Sequence, residues 1–370
     1  MKPPVGDVLI LGGYGNFGKR IAAGLARHGA PIVIAGRHRE RAEALAHKLR
    51  ADNPQCAIGT ARIDAEQDLD AALLSLQPTV VVNTCGPFQN KDYRVAQACI
   101  RQRAAYIDLA EGRDFVTGIT RLDEAAKAAG VAVISGASTV PGLSSAVVEH
   151  FKPGFAAIDE LKFGVSPGQK AERGLATSAG ILGYVGKKLK PMRGQASPRY
   201  GWQDIHQQEY PELGPRWMAN CDIPDLDLFP DRYGIQSIRF SAGMEVSVLH
   251  LGLFALSWIV RSGIPLDLAR HAALLLRASH WFDRFGSGDG GMHVIMRGRD
   301  QRGGALERSW FIVAKSGDGP QIPCVPAILL ARKLSLGEGQ PAGARACVGL
   351  IALPDYLAEL KTFAVKTYEF

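Results

Sequence analysis

The stretch VLILGGYGNFGKRIAAGL, residues 8–25, places three glycines in a G-x-G-x-x-G pattern directly after a run of aliphatic residues. Gly13, Gly15 and Gly18 fall between a predicted strand and a predicted helix. In that setting the first glycine permits a tight turn, the second lets the backbone approach a pyrophosphate, and the third lets helix and strand pack closely. The helix N-terminus offers N–H groups and a positive dipole end to an anion. The stretch therefore predicts a dinucleotide-binding loop.

Short aliphatic runs alternate with helical patterns through the first 137 residues. The predicted strands cover residues 8–13, 31–36, 57–64, 79–84, 104–110 and 131–137. Strands that are apolar throughout and separated by helices form a parallel sheet covered on both faces. The fold class is therefore α/β, a doubly wound Rossmann sheet with its ligand crevice at the carboxyl ends of the strands.

The pattern changes after Gly142, and a chain of 370 residues is long enough for two domains. The stretch DELKFGVSPG, residues 159–168, begins a different strand set. We expect an NADP-binding Rossmann domain over residues 1–142 and a second α/β (α+β) domain, for substrate or dimerisation, over residues 143–322. The C-terminal segment, residues 323–370, is expected to pack back on the Rossmann domain.

Two stretches of the second domain have unusual composition. Residues 195–234 are rich in proline and aromatic residues, which predicts an irregular binding loop, lid or interface arm. The apolar run VSVLHLGLFALSWIV, residues 246–260, is shorter than the roughly 20 residues that cross a bilayer. The run predicts a buried helix rather than a transmembrane segment, with membrane or lipid contact as the alternative.

Charge and cysteine usage exclude several functional classes. The net charge of +7, from 43 basic and 36 acidic residues, is not gathered on one element, which argues against nucleic acid as a partner. The six cysteines are far apart, without C-x-x-C or tight Cys/His spacing, so we expect neither a disulfide framework nor a metal site. With no signal peptide in the sequence, these features predict a cytoplasmic protein.

The residue after the second strand distinguishes NADP from NAD. An NAD site usually has Asp or Glu there, whereas this chain reads IAGRHRER. Arg37 occupies the position of the acid, with His38 and Arg39 beside it, and this arrangement suits a 2′-phosphate. The alternative is a solvated basic helix start. Cations near a helix N-terminus are unfavourable without an anion, so NADP is the predicted cofactor.

Two further strand ends are predicted to meet the cofactor. Asp64 ends the third strand, where it would either face the adenine edge or serve as an ordinary polar strand end. The turn after the fourth strand contains Thr84, Cys85, Gly86 and Pro87 and can lie against the nicotinamide half. A nucleophilic Cys85 is disfavoured because the sequence provides no accompanying His or second Cys.

Hydride transfer needs orientation, a dry pocket and a proton donor or acceptor. Tyr106 and Glu111, at the end of the fifth strand, are candidates, with Glu111 the first choice for acid/base work. The alternative for Glu111 is capping of the helix that follows it, and Asp108 between them is assigned a structural role. Arg173 is a third candidate, as a clamp for a substrate carboxylate.

The segments GGYGNFG, AGR, NTCGPF, YIDLAEG and SGASTVPGLSSAVVE, taken in order, resemble the saccharopine dehydrogenase-like family of NAD(P)-dependent reductases. The resemblance implies a Rossmann domain paired with an α/β domain whose open sheet often makes homodimers. Carried onto this sequence, it implies cofactor contacts at Gly12, Gly15, Asn16, Phe17, Gly18, Arg37, Thr84, Gly86 and Pro87.

The sequence departs from that family at one motif. Amino-acid-handling members have a G-x-D-P-G pattern after the sixth strand, whereas residues 136–142 read GASTVPG, without a carboxylate. The Val-Pro pair is closer to the family's trans-acting enoyl reductase branch. The resemblance thus implies an NADP-dependent oxidoreductase for an imine, ketone or enone. The alternative is a nucleotide-binding redox sensor or scaffold protein without turnover.

Overall fold

A computed structural model describes residues 7–67, 69–193 and 197–370. The chain divides into two compact units. Unit 1 comprises Met1–Leu143 and Gln321–Ile351, and unit 2 comprises Ser144–Pro320 and Ala352–Phe370. Each unit is built around its own sheet.

The strands of the described residues form two sheets. In chain order they are β1 (Val8–Leu11), β2 (Ile32–Gly36), β3 (Ile58–Arg62), β4 (Val80–Asn83), β5 (Ala105–Asp108), β6 (Ala132–Ser135), β7 (Phe155–Ser166), β8 (His206–Tyr210), β9 (Gly214–Asn220), β10 (Ser237–Met244), β11 (Gly290–Asp300), β12 (Ala305–Ala314), β13 (Gly343–Ala346) and β14 (Val365–Glu369).

The α-helices connect and cover these strands. In chain order they are α1 (Asn16–Arg27), α2 (Arg39–Asp52), α3 (Leu69–Leu76), α4 (Arg94–Arg101), α5 (Arg113–Gly118), α6 (Asp123–Ala129), α7 (Ser144–Phe151), α8 (Leu175–Leu182), α9 (Asp225–Tyr233), α10 (Ser247–Arg261), α11 (Ala272–Ser279), α12 (Val325–Ser335) and α13 (Leu353–Leu360).

The sheet of unit 1 is parallel throughout and has the order β13-β6-β5-β4-β1-β2-β3. The predicted doubly wound Rossmann sheet is therefore confirmed. Strand order reverses at β1, where Leu11 pairs with Ala35 of β2 on one side and with Asn83 of β4 on the other. Ligands bind at the carboxyl ends of strands at such a switch point. This edge is where the glycine motif, Arg37 and the NTCGPF turn meet.

Helix α12 returns part of the C-terminal segment to unit 1. Most of its residues are buried, and it packs against α1, β4 and β5. Gly24 permits the contact with α1, because a Cβ atom there would lie 2.4 Å from Cδ1 of Ile328. A four-residue strand, β13, then adds a seventh strand beside β6, and the sequence did not indicate it.

The sheet of unit 2 is mixed, with the order β14-β12-β11-β7-β10-β9-β8. Only the β7–β10 pair is parallel. One face packs against helices, as where Phe163 of β7 stacks on Phe229 of α9 with ring centroids 6.1 Å apart. The other face presents ion pairs such as Arg297 with Glu160 and Glu307, at 3.2 and 2.8 Å.

Two expectations about the second domain need correction. The stretch 195–234 is not an irregular loop. Beyond residues 195–196, which lie outside the described part of the chain, it contains β8, β9 and α9. The C-terminal segment is divided, because β14 pairs with β12 and so places Ala352–Phe370 in unit 2. Edge pairing between distant segments leaves no local signal in the sequence.

The apolar run 246–260 forms a helix, α10, but the prediction that it is buried is wrong. Of the fifteen residues of α10, Ser247–Arg261, only His250 and Ser257 are buried. Val248 and Trp258 are 65% and 49% exposed. Hydropathy shows that a stretch is apolar, but it does not show whether other parts of the protein bury that stretch. Among the described residues, no helix has the length and apolar character that crossing a bilayer requires.

Candidate nucleotide-binding and active site

The glycine loop is held so tightly that three of its positions have no room for a side chain. Gly12 has a left-handed backbone (φ +73°), and a Cβ atom there would lie 2.7 Å from Oγ1 of Thr84. A Cβ on Gly13 would lie 2.9 Å from Cγ2 of Ile34, and one on Gly18 only 2.3 Å from the Gly12 carbonyl oxygen. Gly12 rather than Gly13 therefore makes the tight turn, and Gly18 allows the helix to approach it.

Helix α1 begins immediately after this turn. Gly15 is its N-cap residue and has no side chain with which to cap it. The N–H of Lys19 donates to the Gly15 carbonyl at 3.0 Å, so the amides of residues 16–18, including Asn16 and Phe17, lie in the first turn. No acidic side chain lies in that turn. These are the features of a helix N-terminus that binds phosphate.

Thr84 fastens the turn after β4 to the glycine loop. Its hydroxyl donates to the carbonyl oxygens of Leu11 and Gly12 at 2.8 and 3.1 Å. Asn83 then accepts a hydrogen bond from the N–H of Cys85 at 3.0 Å. Gly86 and Pro87 complete the turn, with Cys85 and Pro87 exposed to solvent. The predicted contacts of this turn thus lie beside the glycine loop.

Arg37, His38 and Arg39 are all exposed at the end of β2. Arg37 forms no ion pair with any residue that the structure describes, whereas Arg39 lies 3.8 Å from Glu43 one helical turn further along α2. The N–H of His38 donates to the hydroxyl of Tyr14 at 2.9 Å. Tyr14 therefore joins the glycine loop to the basic group. An exposed cation at a helix start favours an anionic ligand.

Asp64 and Cys85 complete this edge of the sheet. One carboxylate oxygen of Asp64 accepts the N–H of Glu66 at 3.0 Å, which closes a turn after β3. The Cys85 side chain is accessible to solvent, yet the protein around it desolvates the thiolate and raises the pKa to about 11, against the effect of Arg37. Cys85 is thus a neutral thiol near pH 7, which disfavours a nucleophilic role.

Asp108, at the end of β5, is fully buried and ties two strands together. Its Oδ1 accepts hydrogen bonds from Ser135 Oγ and from the N–H groups of Ala110 and Gly136, each at 2.9 Å. Burial raises the pKa of this carboxyl to about 6, although the three donors oppose the shift. Asp108 therefore has the structural role assigned to it from the sequence.

Glu111 lies where the turns after β5 and β6 meet. Its Oε1 accepts a hydrogen bond from Ser138 Oγ at 3.4 Å, and burial raises the pKa of the carboxyl. The alternative that Glu111 caps the following helix is wrong, because Gly112 is the N-cap residue of α5 and no side chain among the described residues caps it. Glu111 thus brings a protonatable carboxyl, hydrogen-bonded to Ser138, to this edge of the sheet.

The other two catalytic candidates are engaged elsewhere. Tyr106 is 1% exposed within the hydrophobic core, and its hydroxyl accepts from Asn83 Nδ2 at 3.2 Å. Arg173, in unit 2, donates to Asp283 at 3.0 Å and to Ser279 at 3.1 Å. Both contacts favour structural roles. A buried phenol cannot exchange protons with a ligand, and a paired guanidinium is a poor clamp for a second carboxylate.

Comparison with known proteins finds a family match for part of the first unit. Residues 8–134 match the family description "Saccharopine dehydrogenase NADP binding domain". Residues 8–134 are a saccharopine dehydrogenase-type NADP-binding domain. The fold extends the likeness to the whole chain. Saccharopine dehydrogenase (L-Glu forming) from Saccharomyces cerevisiae, in its apo form, is 14% identical with a TM-score of 0.67, over 99% of this chain and 100% of that chain.

A short-chain dehydrogenase from Sphingobium yanoikuyae, solved with NADPH, is also similar in part. It is 18% identical with a TM-score of 0.30, over 35% of this chain and 69% of that one, an overlap too limited to support any assignment. At 14% identity the yeast enzyme shows a shared fold and no shared substrate. The saccharopine dehydrogenase-type domain and its cofactor, NADP, are therefore what the comparisons establish.

The local geometry fits that cofactor. The parts that phosphates need are a glycine turn packed too tightly for Cβ atoms at Gly12 and Gly18, an uncapped helix start and an exposed Arg37. Sequence reasoning missed Tyr14 and Ser138. The glycine at position 36 is the one sequence feature that relates to Tyr14. The tyrosine ring packs on this glycine, and a Cβ atom there would lie 2.5 Å from the ring. Nothing local to Ser138 indicated its contact with Glu111.

Replacing Asp108 tests its structural role in the NADP-binding domain. Asp108→Ala leaves three buried donors without an acceptor and should lower the free energy of unfolding by about 2–5 kcal/mol. Asp108→Asn keeps Oδ1 as an acceptor and should cost much less. Urea unfolding of both variants measures the difference. Equal stability of the two variants would contradict the assignment.

The stability difference between the wild type and Asp108→Asn should depend on pH. The folded pKa of Asp108, about 6, lies above the ordinary value, so the wild-type carboxyl stabilises the fold most when protonated. Its contribution is complete below about pH 4 and is lost as the pH rises through 6. The stability of the wild type relative to Asp108→Asn should therefore be greater at pH 4.5 than at pH 7.5.

Proposed function

We propose that the chain is an NADP-dependent oxidoreductase that transfers hydride to or from a small organic substrate, namely an imine, ketone or enone. The observation that carries the proposal is Arg37. It stands exposed at the end of β2, beside the glycine loop and without an ion pair among the described residues. In an NAD site this position would hold a carboxylate that accepts the ribose hydroxyl.

The cofactor's pyrophosphate would be held by the amides of residues 16–18 at the start of α1, and its 2′-phosphate by Arg37. His38 and Arg39 would lie at the rim of that phosphate, and Asp64 near the adenine edge. The turn Thr84–Pro87 would flank the nicotinamide half. When bound, NADPH supplies the hydride, and the protein supplies orientation, exclusion of water and a proton.

Glu111 is the proposed proton donor or acceptor. Reduction of a C=O or C=N bond requires a proton as well as a hydride, and a carboxyl whose pKa is raised by burial stays protonated closer to neutral pH. The Ser138 hydroxyl would orient it. Tyr106 and Arg173 remain less favoured catalytic candidates because of the contacts that already engage them.

The substrate class rests on the loop after β6. Residues 136–142 lack the carboxylate of the amino-acid-handling pattern, which supports a neutral acceptor over an amino-acid substrate. A cytoplasmic location and a homodimer remain predictions, and the charged open face of the unit 2 sheet is the candidate dimer surface.

A redox sensor or scaffold protein without turnover is the second candidate. Two of the three predicted catalytic side chains are engaged in structural contacts, and this observation favours it. Such a protein would retain the nucleotide site and lack hydride transfer. Substrate turnover therefore separates it from the oxidoreductase.

Replacing Arg37 tests the cofactor assignment. The Arg37→Ala variant loses one or two charge-assisted hydrogen bonds to the 2′-phosphate, which contribute about 1.5–3 kcal/mol each. It should therefore bind NADPH at least roughly tenfold more weakly than the wild type. NADH affinity should not change, because NADH lacks the 2′-phosphate. Titration of nucleotide fluorescence measures both, with Arg299→Ala, an exposed arginine of unit 2, as the control. Equal binding of NADPH and NADH by the wild-type protein would refute the assignment.

Replacing Glu111 tests the proposed acid. In a panel of imines, ketones and enones, Glu111→Gln should lower kcat about 10²- to 10⁴-fold and leave NADPH affinity unchanged. The wild-type rate of reduction should fall as the pH rises above the raised pKa of Glu111, and the variant should not show this dependence. Ser138→Ala should reduce kcat less. Tight NADPH binding with no oxidation by any substrate would support the sensor instead.

A further inference from the structure

Helix α10 turns an apolar face to solvent. Val248, Leu251, Trp258 and Ile259 are exposed by 38–65%. Gly252 and Ala255, between them on the same side of the helix, are also exposed. The helix buries its polar His250 and Ser257 instead. A soluble helix normally has the reverse arrangement, with its polar residues outward.

The same exposure continues beyond α10. Ile264, Leu274, Trp281 and Phe285 are exposed by 54–80%. Eight of the twelve large apolar side chains that are strongly exposed in the described residues thus lie within residues 248–285. We call this surface the α10–α11 face. It comprises Val248, Leu251, Trp258, Ile259, Ile264, Leu274, Trp281 and Phe285.

Both helices pack on one hydrophobic cluster of unit 2. The cluster includes Trp202. Two residues of each helix pack into it, namely Leu253 and Phe254 of α10 and Ala272 and Leu275 of α11. The exposed apolar side chains therefore belong to two helices that cover the same cluster. Contiguous apolar surfaces mark sites of interaction in soluble proteins.

The segment 246–285 carries cations that have no acidic partner among the described residues. Arg277 and Arg284 are exposed and form no ion pair with a described residue, and the guanidinium of Arg284 lies 4.7 Å from the centre of the Phe285 ring. The two acidic residues of the segment 246–285, Asp267 and Asp283, are each paired with an arginine. The face is therefore positively charged.

A basic stretch, KKLKPMR (residues 187–193), precedes these helices in unit 2. A Cβ atom on Gly186 would lie 2.4 Å from the Ser257 carbonyl oxygen, so the chain that leads into Lys187 and Lys188 runs against α10. Both lysines are exposed and form no ion pair within the described residues. The segment 246–285 and this adjoining loop thus combine tryptophan, phenylalanine and aliphatic residues with cations that have no acidic partner among the described residues.

We propose that the α10–α11 face binds the surface of a bilayer that contains anionic lipid. Tryptophan and phenylalanine enter the boundary between headgroups and acyl chains, and arginine and lysine attract anionic headgroups. A second copy of the chain fits less well. Two copies of the face related by a twofold axis would bring arginines and lysines together without acidic partners. The protein lies on the bilayer, since none of the described helices spans it.

Vesicle binding tests the proposal. The full-length protein is mixed with POPC vesicles or with POPC/POPG (7:3) vesicles and sedimented at 50 mM and 500 mM NaCl. The two salt concentrations separate the electrostatic from the hydrophobic contribution to binding. Binding should require POPG and weaken at high salt. Trp258→Ser with Trp281→Ser should weaken it at least tenfold. Arg277→Gln and Arg284→Gln should each weaken it about fivefold.

Matched variants outside the face serve as controls. Leu74→Ser removes an exposed apolar side chain of unit 1, and Arg299→Gln an exposed arginine of unit 2. Neither should change vesicle binding, and circular dichroism verifies that every variant is folded. Absence of binding to POPG vesicles would overturn the proposal, as would equal binding to POPC alone. So would a dimer in sedimentation equilibrium that the two tryptophan substitutions dissociate, because it would assign the face to a second copy.

Discussion

The close approach of the first turn of α1 to the backbone of the glycine loop is the constraint on which the site depends. A Cβ atom on Gly18 would lie 2.3 Å from the Gly12 carbonyl oxygen, so any side chain there would push the helix away. Thr84 holds the same carbonyl from the β4 side. Together they fix the amides of residues 16–18 at the switch point of the sheet, where a pyrophosphate can bind them.

The other candidate functional groups follow the carboxyl ends of the strands, along one edge of the sheet. The end of β2 provides Arg37, joined to the glycine loop through Tyr14 and His38. The turns after β5 and β6 provide Glu111 and Ser138, and buried Asp108 holds those two turns in register. The basic group and the protonatable carboxyl, to which we assign the cofactor and the substrate in the proposed function, thus follow different strands of one sheet.

The sequence predicted the parts of this arrangement that have a periodic or local signal. Aliphatic runs located β1 to β6, and the residue after β2 located the basic group. The four-residue β13, GARA, has no aliphatic run, and β14 joins a distant edge strand, so neither could be found. Hydropathy predicted α10 as a helix and placed it wrongly in the core. The contacts that engage Tyr106 and Arg173 depend on residues far away in the sequence.

In the proposed function, the amides at the start of α1 bind the pyrophosphate of NADP and the end of β2 binds its 2′-phosphate. Hydrogen exchange of the full-length protein with saturating NADPH or NADH tests this claim most directly. Exchange should become slower at residues 12–18 with either nucleotide, and at residues 36–39 with NADPH only. Unchanged exchange at residues 12–18 in the presence of saturating NADPH would contradict it.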